Sequence, residues 1–148
     1  RPSRFLICPM VKTASNDLVL RYEGEVYTID KNGKLLWSVE IPGRWTKEDL
    51  RCPAATPDSG VVAISDMGRK LWKLDHQGNE VFRFDFAYAG TATAPPWVVP
   101  DSGDIIVRTQ AQVLNVNPSG VLNWDANIAS YLFDRPALLV PRSGADRK

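Results

Sequence analysis

The sequence is poor in several features that would point directly to a function. Its 148 residues include two cysteines and a single histidine, and 18 basic residues against 17 acidic ones leave a net charge of +1. This neutral balance excludes a general attraction to nucleic acid or to an anionic membrane surface. No stretch approaches the ~18 consecutive apolar residues of a membrane-spanning helix. We therefore expect neither a nucleic-acid partner nor a membrane span.

The beginning of the chain carries no recognisable targeting signal. Position 1 is Arg, and no charged segment followed by an apolar one comes after it. A secretory leader would have that pattern. We expect the chain to be a processed form or a piece excised from a longer protein.

An internal repeat is the strongest positive feature of the sequence. The tetrapeptide Pro-x-Ser-Gly occurs three times at an interval of about 42 residues, at positions 57–60, 100–103 and 141–144. A fixed interval of this length is typical of solenoid and propeller repeats. Because Gly and Pro mark turns, each copy is expected to lie between two strands.

A second marker runs in phase with the first. Asp or Asn, then Gly three residues later, then a large aromatic four residues beyond the Gly occur in three segments, at 30–37, 75–82 and 117–124. The Asx-x-x-Gly part predicts a tight hairpin turn, because Gly tolerates positive φ and Asx side chains bond the local backbone. Two markers in phase predict three copies of one structural unit.

Each unit divides into four short β-strands. The third strands, at 25–29, 70–74 and 112–116, alternate between two faces, as expected for a half-buried pleated surface. We predict an all-β fold of three four-stranded antiparallel β-propeller blades, at about 4–43, 51–87 and 94–127, with an extra inner strand at 135–141. Propellers close with about four to eight blades, so this one is incomplete or is completed by oligomerisation.

The repeat resembles the quinoprotein-like (PQQ-like) β-propeller repeat, as in the propeller of outer-membrane β-barrel assembly lipoproteins. Residues 52–82 follow that pattern nearly throughout, from Cys52-Pro53 through Leu74-Asp75 and Gly78 to an aromatic. The resemblance implies that the outer-strand aromatics Trp37, Phe82 and Trp124 pack between blades. It also implies a periplasmic or secreted location.

The resemblance does not extend to a cofactor site. Dehydrogenases of the family hold a quinone and a calcium ion with a vicinal cysteine pair and clustered acids. Here Cys8 and Cys52 occupy matching positions in successive repeats, so we interpret them as small buried core residues. His76 is the only other soft ligand, and we interpret it as a solvated turn residue. We predict no cofactor, no metal site and no catalytic residues.

Candidate binding residues collect on the face formed by the loops between blades. The principal candidates are Arg44, Trp45, Arg51, Tyr88 and Arg135. A wider set on the same face comprises Arg21, Tyr22, Asp66, Arg69, Arg108 and Tyr131. An exposed aromatic such as Trp45 suits contact with a peptide, sugar or protein. Its alternative is folding back over a strand end.

Arg51 and Arg135 each precede the proline of an inner strand, at equivalent positions. A ring of such arginines around a central channel would hold an anionic ligand. In the alternative, they pair with the nearby Asp49 and Asp134.

Two functional classes remain open. The first is a non-catalytic binding or scaffolding propeller that takes a protein, peptide or small ligand on its loop face. The second is a fragment of a propeller enzyme, of quinoprotein dehydrogenase or arylsulfotransferase type, whose catalytic residues lie in missing blades. In either case the expected partners are further blades, from the same parent chain or from a second copy.

Overall fold

The computed structural model describes residues 10–22, 24–41, 52–65 and 67–128. Within these ranges the regular structure is almost wholly β, and a single 3₁₀ turn covers Ala87–Ala89. No helix in the described ranges is long and apolar enough to cross a membrane.

The described residues contain twelve strands in three separate sheets. The first contains β1 (Val11–Lys12), β2 (Leu18–Tyr22), β3 (Glu25–Ile29) and β4 (Leu35–Glu40). The second contains β5 (Ala54–Ala55), β6 (Val61–Ser65), β7 (Lys70–Leu74) and β8 (Glu80–Asp85). The third contains β9 (Trp97–Val98), β10 (Ile105–Arg108), β11 (Gln112–Val116) and β12 (Leu122–Asn127). We call these sheets blades 1, 2 and 3.

Every blade is an antiparallel meander in which each strand pairs with the next in sequence. The predicted all-β class with three four-stranded blades is therefore confirmed. The strands β3, β7 and β11 have the bounds that alternation predicted, while β1, β5 and β9 are only two residues long. The predicted extra strand at 135–141 lies outside the described residues.

The turns between third and fourth strands are built alike in all blades. In blade 1 the Asp30 carboxylate accepts the backbone N–H groups of Asn32 and Lys34, at 2.8 and 2.9 Å. Asp75 and Asn117 do the same in blades 2 and 3. A register shift follows in every blade at the same place, at the end of the third strand. The Asx-x-x-Gly marker thus encodes one repeated hairpin.

The turns between first and second strands are less uniform than the repeated Pro-Asp-Ser-Gly suggests. Thr56 closes its turn on the carbonyl of Gly60, at 3.0 Å, whereas Val99 closes on Asp104, at 2.8 Å. The turn of blade 3 is therefore one residue longer, and Gly60 corresponds to Asp104. The sequence match of Gly60 with Gly103 does not hold in space.

The hydrophobic core consists of two layers, one between each pair of neighbouring blades. The layer between blades 1 and 2 contains Val19, Val26, Ile41, Val61, Ala63, Trp72 and Leu74. The layer between blades 2 and 3 contains Val62, Ile64, Leu71, Phe86, Ala89, Ala92, Ile105, Val107, Leu114 and Val116. Each fully buried aliphatic side chain of this size contributes roughly 1.5–3 kcal/mol. The central blade is therefore buried on both faces.

Cys52 departs from its predicted role. It is half-buried and takes part in a disulfide bond, so its interpretation as a plain core residue is wrong. The physical reason is that equivalent inner strands of neighbouring blades converge, as the contact between β1 and β5 shows. A separation of one full repeat along the chain therefore does not mean separation in space. The chain's other cysteine, Cys8, lies outside the described residues.

Candidate functional site

The meander sorts the loops onto two faces. The turns between first and second strands and between third and fourth strands share one face, the turn face. The described connection between blades 2 and 3 and the turns between second and third strands share the other, the loop face. Of the principal candidates on the loop face, only Tyr88 lies in the described residues. Arg44, Trp45, Arg51 and Arg135 lie outside them.

Tyr88 lies on the 3₁₀ turn that connects blades 2 and 3. This turn forms because the Asp85 carboxylate accepts the backbone N–H of Ala87 at 2.9 Å, and Ala89 and Gly90 then donate to the carbonyls of Phe86 and Ala87. Phe86 is fully buried and fixes the turn to the core. Tyr88 remains 62% exposed. A buried neighbour thus presents an aromatic side chain to solvent on a defined backbone.

The surroundings of Tyr88 are acidic. Burial raises the pKa of its phenol, and the negative charges of Asp125 and Asp85 raise it further. Lys70 approaches the Asp85 carboxylate, with its Nζ 3.6 Å from Oδ2, while Oδ1 accepts the backbone N–H of Ala87. We call Tyr88, Asp85 and Asp125 the tyrosine patch.

Sequence reasoning found Tyr88 but missed the two carboxylates beside it. Asp85 ends β8 and Asp125 lies in β12, so about forty residues of chain separate them. No local pattern joins such positions, and only the packing of blade 3 on blade 2 brings them to one aromatic ring.

The residues of the wider candidate set differ in how exposed they are. Arg21 is only 8% exposed and donates from Nη1 to the carbonyl of Ile64 at 3.0 Å, so it joins blades 1 and 2. Tyr22 and Arg108 are exposed, and Arg69 is half-buried with a partner. Asp66 and Tyr131 lie outside the described residues. Among the described residues of this set, Arg21 is the one that is buried.

The turn face carries a shallow cavity of about 320 Å³ where the three inner strands converge. Its lining is mostly small, with Thr13, Ala55, Thr56 and Val98 among its members. Nearby, the buried Lys73 ammonium lies 2.7 Å from the Asp58 carboxylate. Burial raises the pKa of Asp58, but the hydrogen bonds from Lys73, the Thr56 hydroxyl and the Gly60 N–H outweigh it and lower the pKa. Lys73, Thr56 and Gly60 therefore all donate hydrogen bonds to the Asp58 carboxylate.

His76 also lies on this face, in the turn between β7 and β8. Its Nε2 is 3.6 Å from the Asp17 carboxylate of blade 1, and its side chain is about half exposed, at 48%. Its backbone carbonyl accepts the indole N–H of Trp37 at 2.9 Å. The residue is therefore part of a contact between blades and not only a solvated turn residue.

Two of the outer-strand aromatics, Trp37 and Phe82, each lie against a turn glycine of the following blade. A Cβ built on Gly78 would lie 2.7 Å from the Trp37 ring, and one on Gly120 would lie 2.6 Å from Phe82. Real Cβ atoms do not approach that closely, so only glycine permits either contact. We call this pairing of an aromatic with the turn glycine of the next blade the blade joint.

In the described ranges no three His, Cys, Asp or Glu side chains are grouped as metal ligands would be.

Solved structures share this arrangement of blades. A protein of unknown function from Bacteroides caccae superposes with a TM-score of 0.53 at 14% identity, over 82% of this chain and 45% of that one. The fold is that of a β-propeller. A streptogramin B lyase matches with a TM-score of 0.56 at 11% identity, over 83% of this chain and 41% of that one.

A catalytically inactive virginiamycin B lyase from Staphylococcus aureus, solved with quinupristin, gives the same TM-score of 0.56 at 11% identity. The match covers 82% of this chain and 42% of that one. The chain thus spans less than half the length of the propellers it resembles. At these identities the likeness extends to the fold alone. No protein-family model matches the chain, and no curated protein matches it in sequence.

Proposed function

We propose that this chain is a non-catalytic binding module, a set of propeller blades that holds a peptide segment on its loop face. The observation that carries the proposal is the tyrosine patch, in which an exposed aromatic side chain lies within the electrostatic influence of two carboxylates that raise the pKa of its phenol. Tyr is among the residues most often found at the energetic centre of protein interfaces. The capped 3₁₀ turn beneath it reduces the ordering cost of binding.

The charges of the patch select the kind of peptide. Asp85 and Asp125 supply two acidic side chains, and the face of a Tyr ring attracts a cation. A Lys or Arg side chain would lie over the ring and reach a carboxylate at the same time. The favoured ligand is therefore a peptide with a basic residue.

The test is a binding titration with defined probes. Fluorescein-labelled peptides of equal length, one rich in Arg and Lys and one rich in Glu, are titrated with the chain while fluorescence anisotropy is recorded. The basic peptide binds, and Tyr88→Ala and Asp125→Asn each weaken its binding. Val81→Ala, which shortens an exposed apolar side chain of blade 2 outside the tyrosine patch, leaves the binding unchanged. Equal binding of both peptides, or indifference to Tyr88→Ala, contradicts the proposal.

The repeats themselves we assign to the quinoprotein-like type. The support is the shared pattern of Leu74-Asp75, Gly78 and the aromatic Phe82. Its Asx and Gly build the same turn in each described blade, and its glycine and aromatic form the two blade joints within the described residues. The loop candidates Arg44, Trp45, Arg51 and Arg135 remain predictions for a wider binding surface on the same face.

A second candidate function is that of a piece of a propeller enzyme. It is favoured by the two lyases among the similar structures and by the chain's share of less than half of their length. Calorimetric titration of the chain with quinupristin tests this candidate. Binding that survives Tyr88→Ala would favour it over the peptide module.

A further inference from the structure

The two outer edges of the three-blade unit carry the two unmatched halves of a blade joint. Trp37 and Phe82 use their following glycines inside the chain. At the open edge of blade 1, Gly33 occupies the place of Gly78, and no described residue lies within 4 Å of a Cβ built there. At the open edge of blade 3, Trp124 pairs with Asn115 as Trp37 pairs with Thr28. One edge therefore offers an aromatic and the other an empty glycine turn.

An arginine at one register position is buried against the next blade in blade 1 but exposed at the outer edge of blade 3. Arg21 reaches from blade 1 to the carbonyl of Ile64 in blade 2. Arg108 has the equivalent register position in blade 3, because it pairs with Val113 as Arg21 pairs with Val26. Arg108 is exposed, whereas Arg21 is buried. The trailing edge of blade 3 thus carries the residues equivalent to those with which blade 1 makes both contacts to blade 2.

The leading face of blade 1 carries apolar side chains that no described blade covers. Leu20, Tyr22 and Ile29 lie at positions equivalent to the blade 2 residues Ala63, Ser65 and Leu74. The blade 2 residues are at most 2% exposed because blade 1 packs on them. Tyr22 is 66% exposed, and Leu20 and Ile29 are half-buried.

The trailing face of blade 3 also exposes an apolar side chain. Trp97 pairs with Ile106 on this face, as Ala54 pairs with Val62 in blade 2. Ala54 and Val62 belong to the layer between blades 2 and 3, whereas Trp97 is 59% exposed. Contiguous exposed apolar surface of this kind marks an interaction site.

We propose that a second copy of this chain covers both edges. Blade 3 of each copy packs on blade 1 of the other, so that Trp124 lies against Gly33 of the second copy and Arg108 donates to the carbonyl of its Arg21. Both halves of the joint are present in one sequence, so within the described residues each copy supplies the half that the other copy's edge lacks. Three blades from each give six, within the range in which propellers close. A two-fold rotation makes the two new joints identical and leaves no open edge.

The first test is the mass of the assembly. Native mass spectrometry and sedimentation equilibrium are applied to the wild type, Trp124→Ala and Gly33→Asn. Asn tolerates the left-handed backbone of this turn, where φ is +88°, and places a side chain where the indole must lie. The wild type is a dimer, and each variant raises its dissociation constant by about tenfold or more. Tyr88→Ala, an exposed aromatic outside both edges, does not change it.

A mixing experiment separates a specific joint from general damage. A dimer formed from one Trp124→Ala copy and one Gly33→Asn copy contains one unaltered joint, since each copy keeps the half that the other has lost. An equimolar mixture therefore forms heterodimers at concentrations where either variant alone is monomeric. A monomeric wild type overturns the proposal and leaves the edges to other blades of a longer chain. A dimer indifferent to both variants, or variants that fail to combine, overturns it as well.

Discussion

The two blade joints inside the chain are built on one plan but are not equal. Between blades 1 and 2, an indole lies on Gly78 and donates a hydrogen bond to the carbonyl of His76, while Arg21 adds a buried contact to Ile64. Between blades 2 and 3, Phe82 lies on Gly120 with no polar hydrogen to donate, and Ile64 stands at the position of Arg21. The aromatic on glycine is therefore the constant element, and the polar contacts are additions to it.

The largest expected effect comes from filling the glycine of a joint. Gly78→Ala places a methyl group into the Trp37 ring and is expected to cost about 3 kcal/mol of unfolding free energy, from overpacking and backbone strain together. Gly33→Ala has the same left-handed backbone but open space, and we expect a cost of about 1 kcal/mol. Urea unfolding at low protein concentration compares the two. Equal losses would show that the joint does not depend on the close approach.

The next effect concerns a polar contact that only blade 2 contains. Lys73 is buried and pairs with Asp58, whereas the equivalent positions in blades 1 and 3 are Thr28 and Asn115. Asp58→Asn leaves the ammonium without its counter-charge and is expected to cost about 2 kcal/mol. Asp101→Asn alters an exposed turn aspartate of blade 3 as the matched control, with little expected effect. A loss as small as that of the control would mean that the ion pair contributes nothing.

A smaller change converts one joint into the other. Trp37→Phe removes the hydrogen bond to His76 but keeps an aromatic on Gly78, so we expect a loss of about 1 kcal/mol. Phe82→Tyr at the other joint serves as the comparison. It keeps the aromatic ring, and we expect no equivalent of the Trp37 hydrogen bond from its hydroxyl. Thermal unfolding followed by circular dichroism measures both. A loss of several kcal/mol for Trp37→Phe would show that the indole is needed for its shape.

The smallest effect depends on pH and distinguishes the turns of blades 1 and 2 from that of blade 3. The N–H groups of Lys34 and Asn79 are the largest causes that lower the pKa of Asp30 and Asp75. A lowered folded-state pKa gives stability that is present above the unfolded pKa of ~3.9 and is lost as the pH falls through the folded value. Asn117 makes the same bonds without a charge.

We therefore expect the double variant Asp30→Asn, Asp75→Asn to lose less stability between neutral pH and about pH 3 than the wild type does. Unfolding by urea at a series of pH values measures the two slopes. Parallel acid slopes for the wild type and the double variant would contradict the assignment of these carboxylates.

The sequence predicts this fold well because its rules are local. Alternation gives the bounds of β3, β7 and β11, and the Asx-x-x-Gly marker gives the turns that follow them. The sequence pattern does not reveal the extra residue in the turn of blade 3. The turns of blades 2 and 3 contain the same Pro-Asp-Ser-Gly, which aligns Gly103 with Gly60, whereas the residue that closes the turn of blade 3 is Asp104. Local identity of four residues does not fix which residue closes a turn.

The candidate site was less predictable, because its members come together only through packing. Tyr88 was visible as an aromatic in a loop, but Asp125 reaches it from another blade. Arg21 was expected on the loop face and instead crosses to Ile64, since a long side chain at a strand end can turn inward when a carbonyl lies opposite. The disulfide bond of Cys52 likewise depends on how neighbouring inner strands converge.

The central claim is that the contact of an aromatic with a glycine determines how one blade packs on the next. A double-mutant cycle with Trp37→Ala and Gly78→Ala tests it most directly, because removing the ring removes the object that a Cβ at position 78 would strike. Gly78→Ala is expected to cost about 3 kcal/mol in the wild type but only about 1 kcal/mol when position 37 is already Ala. Equal costs in the two backgrounds would mean that the two residues act independently, and the claim would be wrong.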